Sequence, residues 1–213
     1  MLKKLFPLFK SGDAFAYQGM RQYSVGNYLQ AIENYYKALD RKLKVYDDYE
    51  IYAKIGFCYW QLHLFEKSID AYKKSIAINP NYHKSWSELG VFYRKNGNFK
   101  QAVRCYEESI KINPEYPDIH TNLGANYIYL NEPEKAVESL KKAIELDPSY
   151  HVSHSNMALA LAILGKYDEA EKTAKRAVAL GSKNGKELQA RIRDLRDMDD
   201  PGFDANSWII WNN

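Results

Sequence analysis

Three segments, Asn79-Pro80-Asn81-Tyr82, Asn113-Pro114-Glu115-Tyr116 and Asp147-Pro148-Ser149-Tyr150, share one pattern, and their prolines are 34 residues apart (114 − 80 and 148 − 114). A fixed period of this size means stacked supersecondary units. With Tyr49, His83, Pro117 and His151 each numbered phase 1, further columns align. Phase 8 holds Gly56, Gly90, Gly124 and Ala158, a column of minimal side chains that calls for close helix contact. Phase 11 holds Tyr59, Tyr93, Tyr127 and Leu161, and phase 24 holds Tyr72, Tyr106, Leu140 and Ala174. An earlier unit starts at Gly12, with Phe15, Gly19, Tyr28, Ala31 and Tyr35 in register and three extra residues placed in Lys42–Asp48.

Apolar residues fall at phases 4, 7, 8, 11 and again at 17, 20, 24, 27, a helical spacing. Each unit is therefore two helices, broken near phase 15 by Gly26, Gly97, Asn131 or Gly165 and closed by the trailing proline. The columns of aromatic, Leu-Gly, Tyr, Ala, aromatic, Ala and Pro resemble the tetratricopeptide repeat (TPR) family over residues 12–184. The resemblance implies an all-α, right-handed superhelix, an α-solenoid of five helix-turn-helix repeats (12–48, 49–82, 83–116, 117–150, 151–184). Departures are His120 and His154 at the aromatic phase 4, Pro133 at phase 17, and Ser182 in place of the closing proline; looser packing is expected there. In the continued register, Leu188, Ile192 and Leu195 form one apolar stripe on an otherwise charged segment, which predicts a capping helix over 185–199. Residues 1–11 form an N-terminal extension, which either lies on a membrane surface or staples onto the first unit, and 200–213 form an apolar tail.

Composition sets the outer limits. The 213 residues are 46% hydrophobic, and 30 basic against 27 acidic side chains leave a net charge of +3, so no nucleic-acid backbone is demanded as a partner. No apolar run reaches the ~18 residues of a membrane span, and no signal peptide is seen, which predicts a soluble, cytoplasmic protein. Cys58 and Cys105 cannot build a disulfide framework. His120, His151 and His154 have no nearby carboxylate or thiolate, so they are expected to pack rather than bind a metal. Without strands there is no phosphate-cradling loop. Neither enzyme chemistry nor a cofactor is expected.

On the first helix of each unit, phases 2, 6, 9 and 13 lie opposite the packing face. The family resemblance implies that this face lines a concave groove for peptides or helices of partner proteins. Its expected contacts here are Tyr17, Phe57, Val91, Asn122, Tyr129, Asn156, Leu159 and Ile163. The face turns apolar in the last unit, where Val152, Leu159 and Ile163 either mark a contact or sit under the capping helix. Asn122 and Asn156 share phase 6, and a carboxamide there both donates to and accepts from a peptide backbone. The pair is similar to the asparagine ladder of O-linked N-acetylglucosamine transferases. The Lys and Asn that would hold a chaperone C-terminal carboxylate at phases 5 and 9 are missing from every unit.

The sequence thus predicts a non-catalytic protein–protein interaction scaffold. The alternative is a self-assembling structural protein, a homo-oligomer in which Trp208-Ile209-Ile210-Trp211 docks in its own or a neighbour's groove. That uncharged tail would be an aggregation hazard if left uncovered.

Overall fold

The computed structural model describes residues 11–198. Within them the chain is eleven α-helices without a strand. The first helices of the repeats are α1 (Gly12–Ser24), α3 (Asp48–Gln61), α5 (His83–Lys95), α7 (Pro117–Tyr129) and α9 (His151–Ile163). Their partners are α2 (Tyr28–Leu39), α4 (Phe65–Ile78), α6 (Phe99–Ile112), α8 (Pro133–Leu146) and α10 (Tyr167–Ala179), and α11 (Gly185–Met198) follows. The chain forms two compact units that divide between Leu89 and Gly90, inside α5.

The residue before each repeat proline shows how a unit ends. Asn79, Asn113 and Asp147 adopt φ of −134°, −137° and −137° with ψ near 90°, the extended conformation that a following proline imposes. Two of these side chains then close the turn, Asn81 N–H donating to Asn79 Oδ1 (3.0 Å) and Ser149 N–H to Asp147 Oδ1 (2.9 Å). The break at phase 15 is a left-handed residue in every repeat: Gly26, Gly97 and Gly165 have φ of 77°, 73° and 70°, and Asn131 and His63 adopt 55° and 57°. Asn and His are the β-carbon-bearing residues that enter this region more readily than most.

Phases 8 and 24 face each other and are matched in size. A methyl added at Gly19, Gly56, Gly90 or Gly124 would lie 2.5–2.9 Å from Tyr35, Tyr72, Tyr106 or Leu140. In the last repeat the bulk is shared instead, Ala158 at phase 8 and Ala174 at phase 24, both 0% exposed.

The expectation of loose packing at His120 and His154 is corrected. Each is only 8% exposed, and each ring Nε2 hydrogen-bonds a proline carbonyl six residues back, Pro114 at 2.7 Å and Pro148 at 2.9 Å. Trp86 makes the same bond to Pro80 O (2.9 Å), so in the repeats that begin at 83, 117 and 151 phase 4 is a flat ring with an N–H at its tip, which histidine supplies with Nε2 protonated. Pro133 takes the first turn of α8, where the missing N–H is harmless.

In the first unit the extra residues after α2 are tied down by Asp13, whose Oδ1 accepts from Lys44 N–H (3.1 Å) and Val45 N–H (3.0 Å). Burial opposes ionisation of this carboxylate, but those backbone donors win and hold its pKa below the usual value. At the other end, Leu188 and Ile192 of α11 are 3% and 1% exposed in one cluster with Leu140, Met157, Leu159 and Leu161. The polar face of α11 is tethered to α10 through Glu171, which pairs with Arg196 (3.4 Å) and Arg193 (3.9 Å).

Candidate functional site

The second compact unit contains a groove of about 530 Å³ between α7, α9 and the segment leading into α11. Three polar ties fix its walls. Thr121 Oγ1 lies 2.7 Å from Ser153 Oγ and joins α7 to α9; it also donates to Pro117 O (3.1 Å). Ser155 Oγ donates to His151 O (3.0 Å) and lies 3.1 Å from Ser182 Oγ, which joins α9 to the turn before α11. The ring bonds of His120 and His154 anchor the first turns of both helices. With both walls pinned, side chains at the same phase on α7 and α9 present the same direction.

Asn122 and Asn156 line this groove one repeat apart. Both are half-buried, and neither carboxamide has a hydrogen-bond partner among the described residues. Tyr129 lines it too, its ring stacked on Phe99 of α6 with centroids 4.8 Å apart and planes 12° from parallel. Leu159 forms part of the wall while being 7% exposed in the cluster that holds Leu188, so it contributes to the groove as a floor beneath the capping helix. Val152 and Ala125 add apolar area.

The other expected contacts lie elsewhere. Val91 is half-buried and packs on the cluster of Ala102, Tyr106, Ile119 and Leu123. Ile163 packs against the cluster that includes Leu159 and Ile192. Phe57 sits in the first compact unit with ring centroids 5.3 Å from Tyr23 and 6.5 Å from Tyr28, and Tyr17 in the same unit is 58% exposed. Asp13, on the same face of α1 as Tyr17, is engaged with Lys44 and Val45. Trp208, Ile209, Ile210 and Trp211 lie outside the described residues.

Several lining residues escaped the phase argument. Arg94 comes from phase 12 of α5, and its Nε is shut away from solvent without a partner among the described residues. Tyr150 and His151 stand at the entry to α9, and Gly181, Ser182, Lys183 and Asn184 form the turn before α11. Loss of solvent pushes the Tyr150 phenol up, and the charges of Asp118 and Asp147 add to this. No carboxylate lines the groove, whereas Arg94 and Lys183 do. Among the described residues no group of three or more His, Cys, Asp or Glu is placed to hold a metal ion. The thiols of Cys58 and Cys105 are buried, and desolvation pushes them up to about 12 and about 11, which leaves them unreactive near neutral pH.

Family models described as tetratricopeptide repeats match residues 49–82, 71–104, 117–150 and 139–172, and one described as a TPR repeat matches 92–127; together they run from 49 to 172 without a gap. The chain belongs to the tetratricopeptide repeat family. It has the all-α TPR superhelix fold. Curated relatives include the "Photosystem I assembly protein Ycf3" of Cuscuta gronovii, 32% identical over 81 residues, 37% of this chain and 48% of that protein. The protein of the same name from Acaryochloris marina (strain MBIC 11017) is 34% identical over 84 residues, 38% of this chain and 51% of that one. The chain thus spans about half the length of the curated relatives it matches. Among solved structures, MamA superposes with a TM-score of 0.68 at 26% identity over 79% of this chain and 96% of that one. A thermophilic TPR protein of Thermus thermophilus superposes with a TM-score of 0.61 at 23% identity over 87% and 98%, a likeness of fold alone. No helix among the described residues is long and apolar enough to cross a membrane.

Proposed function

We propose that this TPR protein is a non-catalytic scaffold whose groove between α7 and α9 holds an extended segment of a partner protein. The observation that carries the reading is the pair of carboxamides, Asn122 and Asn156, without a hydrogen-bond partner among the described residues and one repeat apart in the wall of a groove of about 530 Å³. An unpaired amide in a half-dry site gains most when a ligand supplies both donor and acceptor. A peptide main chain does so at every residue, whatever its sequence. Tyr129, Val152 and Leu159 supply contact area beside the amides. The likeness to proteins named for photosystem I assembly supports a role in bringing other proteins together.

Selection of a random dodecapeptide library against the protein tests this. Peptides should be enriched, and Asn122→Ala with Asn156→Ala should weaken every one of them by about tenfold or more while the melting temperature stays within a few degrees. A protein that enriches nothing, or binds equally well without the two amides, contradicts the reading.

A second reading places Trp208–Trp211 in the same groove, favoured by the lack of charge in that segment. Removing residues 201–213 should then raise peptide affinity or lower the oligomeric mass; no change in either refutes it.

A further inference from the structure

The lining of the groove has a charge pattern that the amide pair does not explain. Its charged members are Arg94 on α5 at one side and Lys183 in the turn before α11 at the other, with Asn122 and Asn156 between them and no carboxylate in the wall. Asp118 and Asp147 act on the Tyr150 phenol from outside the lining. Arg94 is the informative residue. Among the described residues its guanidinium makes no ion pair, and its Nε is cut off from water without a hydrogen-bond acceptor. A desolvated, unpaired donor on a cation is costly unless a ligand completes it. The donor fork of arginine fits a carboxylate in bidentate fashion.

We infer that the groove takes an acidic extended peptide, with one carboxylate side chain on Arg94 and a second on Lys183, the main chain between them lying along Asn122 and Asn156. The inference rests on the peptide-groove reading and adds the chemistry of the ligand. Two separated cations call for two separated carboxylates, which internal Asp or Glu side chains provide and a lone C-terminal carboxylate does not. Neighbouring helices are spaced by about 8–10 Å and an extended chain advances about 3.3 Å per residue, so the two acids should lie about four to eight residues apart once side-chain reach is allowed for. Between the two acids, small or apolar residues suit Val152 and Leu159 of the lining.

The experiment is the library selection with two display formats, one fusing the peptide through its C-terminus and one leaving the C-terminus free. Peptides enriched in the fused format should carry Asp or Glu at two positions in that spacing. A synthetic enriched peptide, acetylated and amidated, should lose about tenfold in affinity when its acids become Asn or Gln. Arg94→Gln should cause the same loss for the acidic peptide and almost none for the neutral one, so that the two changes do not add. Lys183→Gln, on an exposed turn, gives a smaller loss without risk to folding. Enriched peptides without acids, or enrichment only with a free C-terminus, overturn the inference and leave peptide binding in place. Absence of any enrichment removes the groove reading itself.

Discussion

At the scale of single residues, the scaffold is set by pairs that share a fixed space. Gly124 and Leu140 show this: a methyl on Gly124 would come within 2.5 Å of Leu140. Gly124→Ala should cost about 1–3 kcal/mol by overpacking and Leu140→Ala about 2–5 kcal/mol by leaving a cavity. The double variant recreates the Ala158/Ala174 arrangement, so its cost, read from urea unfolding, should be well below the sum. Additive costs would mean that the two columns do not compensate. Asp13 gives a pH dependence with a definite sign. Its carboxyl pKa is lowered in the folded protein, so its contribution is present above the unfolded value near 4 and is lost as pH falls through the folded one. The melting-temperature gap between wild type and Asp13→Asn should therefore be open at pH 7 and narrow as pH falls below about 4; a gap that does not change with pH contradicts this.

At the scale of elements, the helices were legible in the sequence because their packing columns repeat. The Asn-Pro and Asp-Pro pairs mark the ends of α4, α6 and α8, and the apolar stripe of Leu188 and Ile192 marks α11. His63 was not legible as a left-handed residue, because only its phase places it in the column of Gly26 and Gly97. His120 and His154 looked like weak substitutes until their ring bonds to Pro114 and Pro148 were seen, a role that depends on where an imidazole N–H ends in space. For α11, burial rather than charge should dominate. Ile192 is 1% exposed, so Ile192→Ala should destabilise by about 2–5 kcal/mol. Glu171→Gln breaks surface pairs with Lys175, Arg193 and Arg196, whose cationic partners are solvent-exposed, and should cost clearly less than Ile192→Ala. The reverse order in thermal unfolding would show that the cap is held by its charges.

At the scale of the whole molecule, the candidate site was about half legible. Asn122, Tyr129, Asn156 and Leu159 were reached from helix phase alone and line one groove. Val91 shares phase 9 with Leu159, about 60° off the phase-6 direction at 100° per residue, so this column leans toward the neighbouring packing layer and Val91 is drawn into it. Arg94 and the 181–184 turn were missed because a long side chain reaches a site that its phase does not face, and because a turn has no helical phase at all. The proposed role of the Asn122 and Asn156 carboxamides is to hold a partner's main chain. A crystal structure of the protein with a selected peptide tests it most directly. The complex should show an extended peptide across α7 and α9 with its N–H and C=O groups about 3 Å from both carboxamides. A peptide bound on another face, or one that touches the groove without engaging either asparagine, would contradict it.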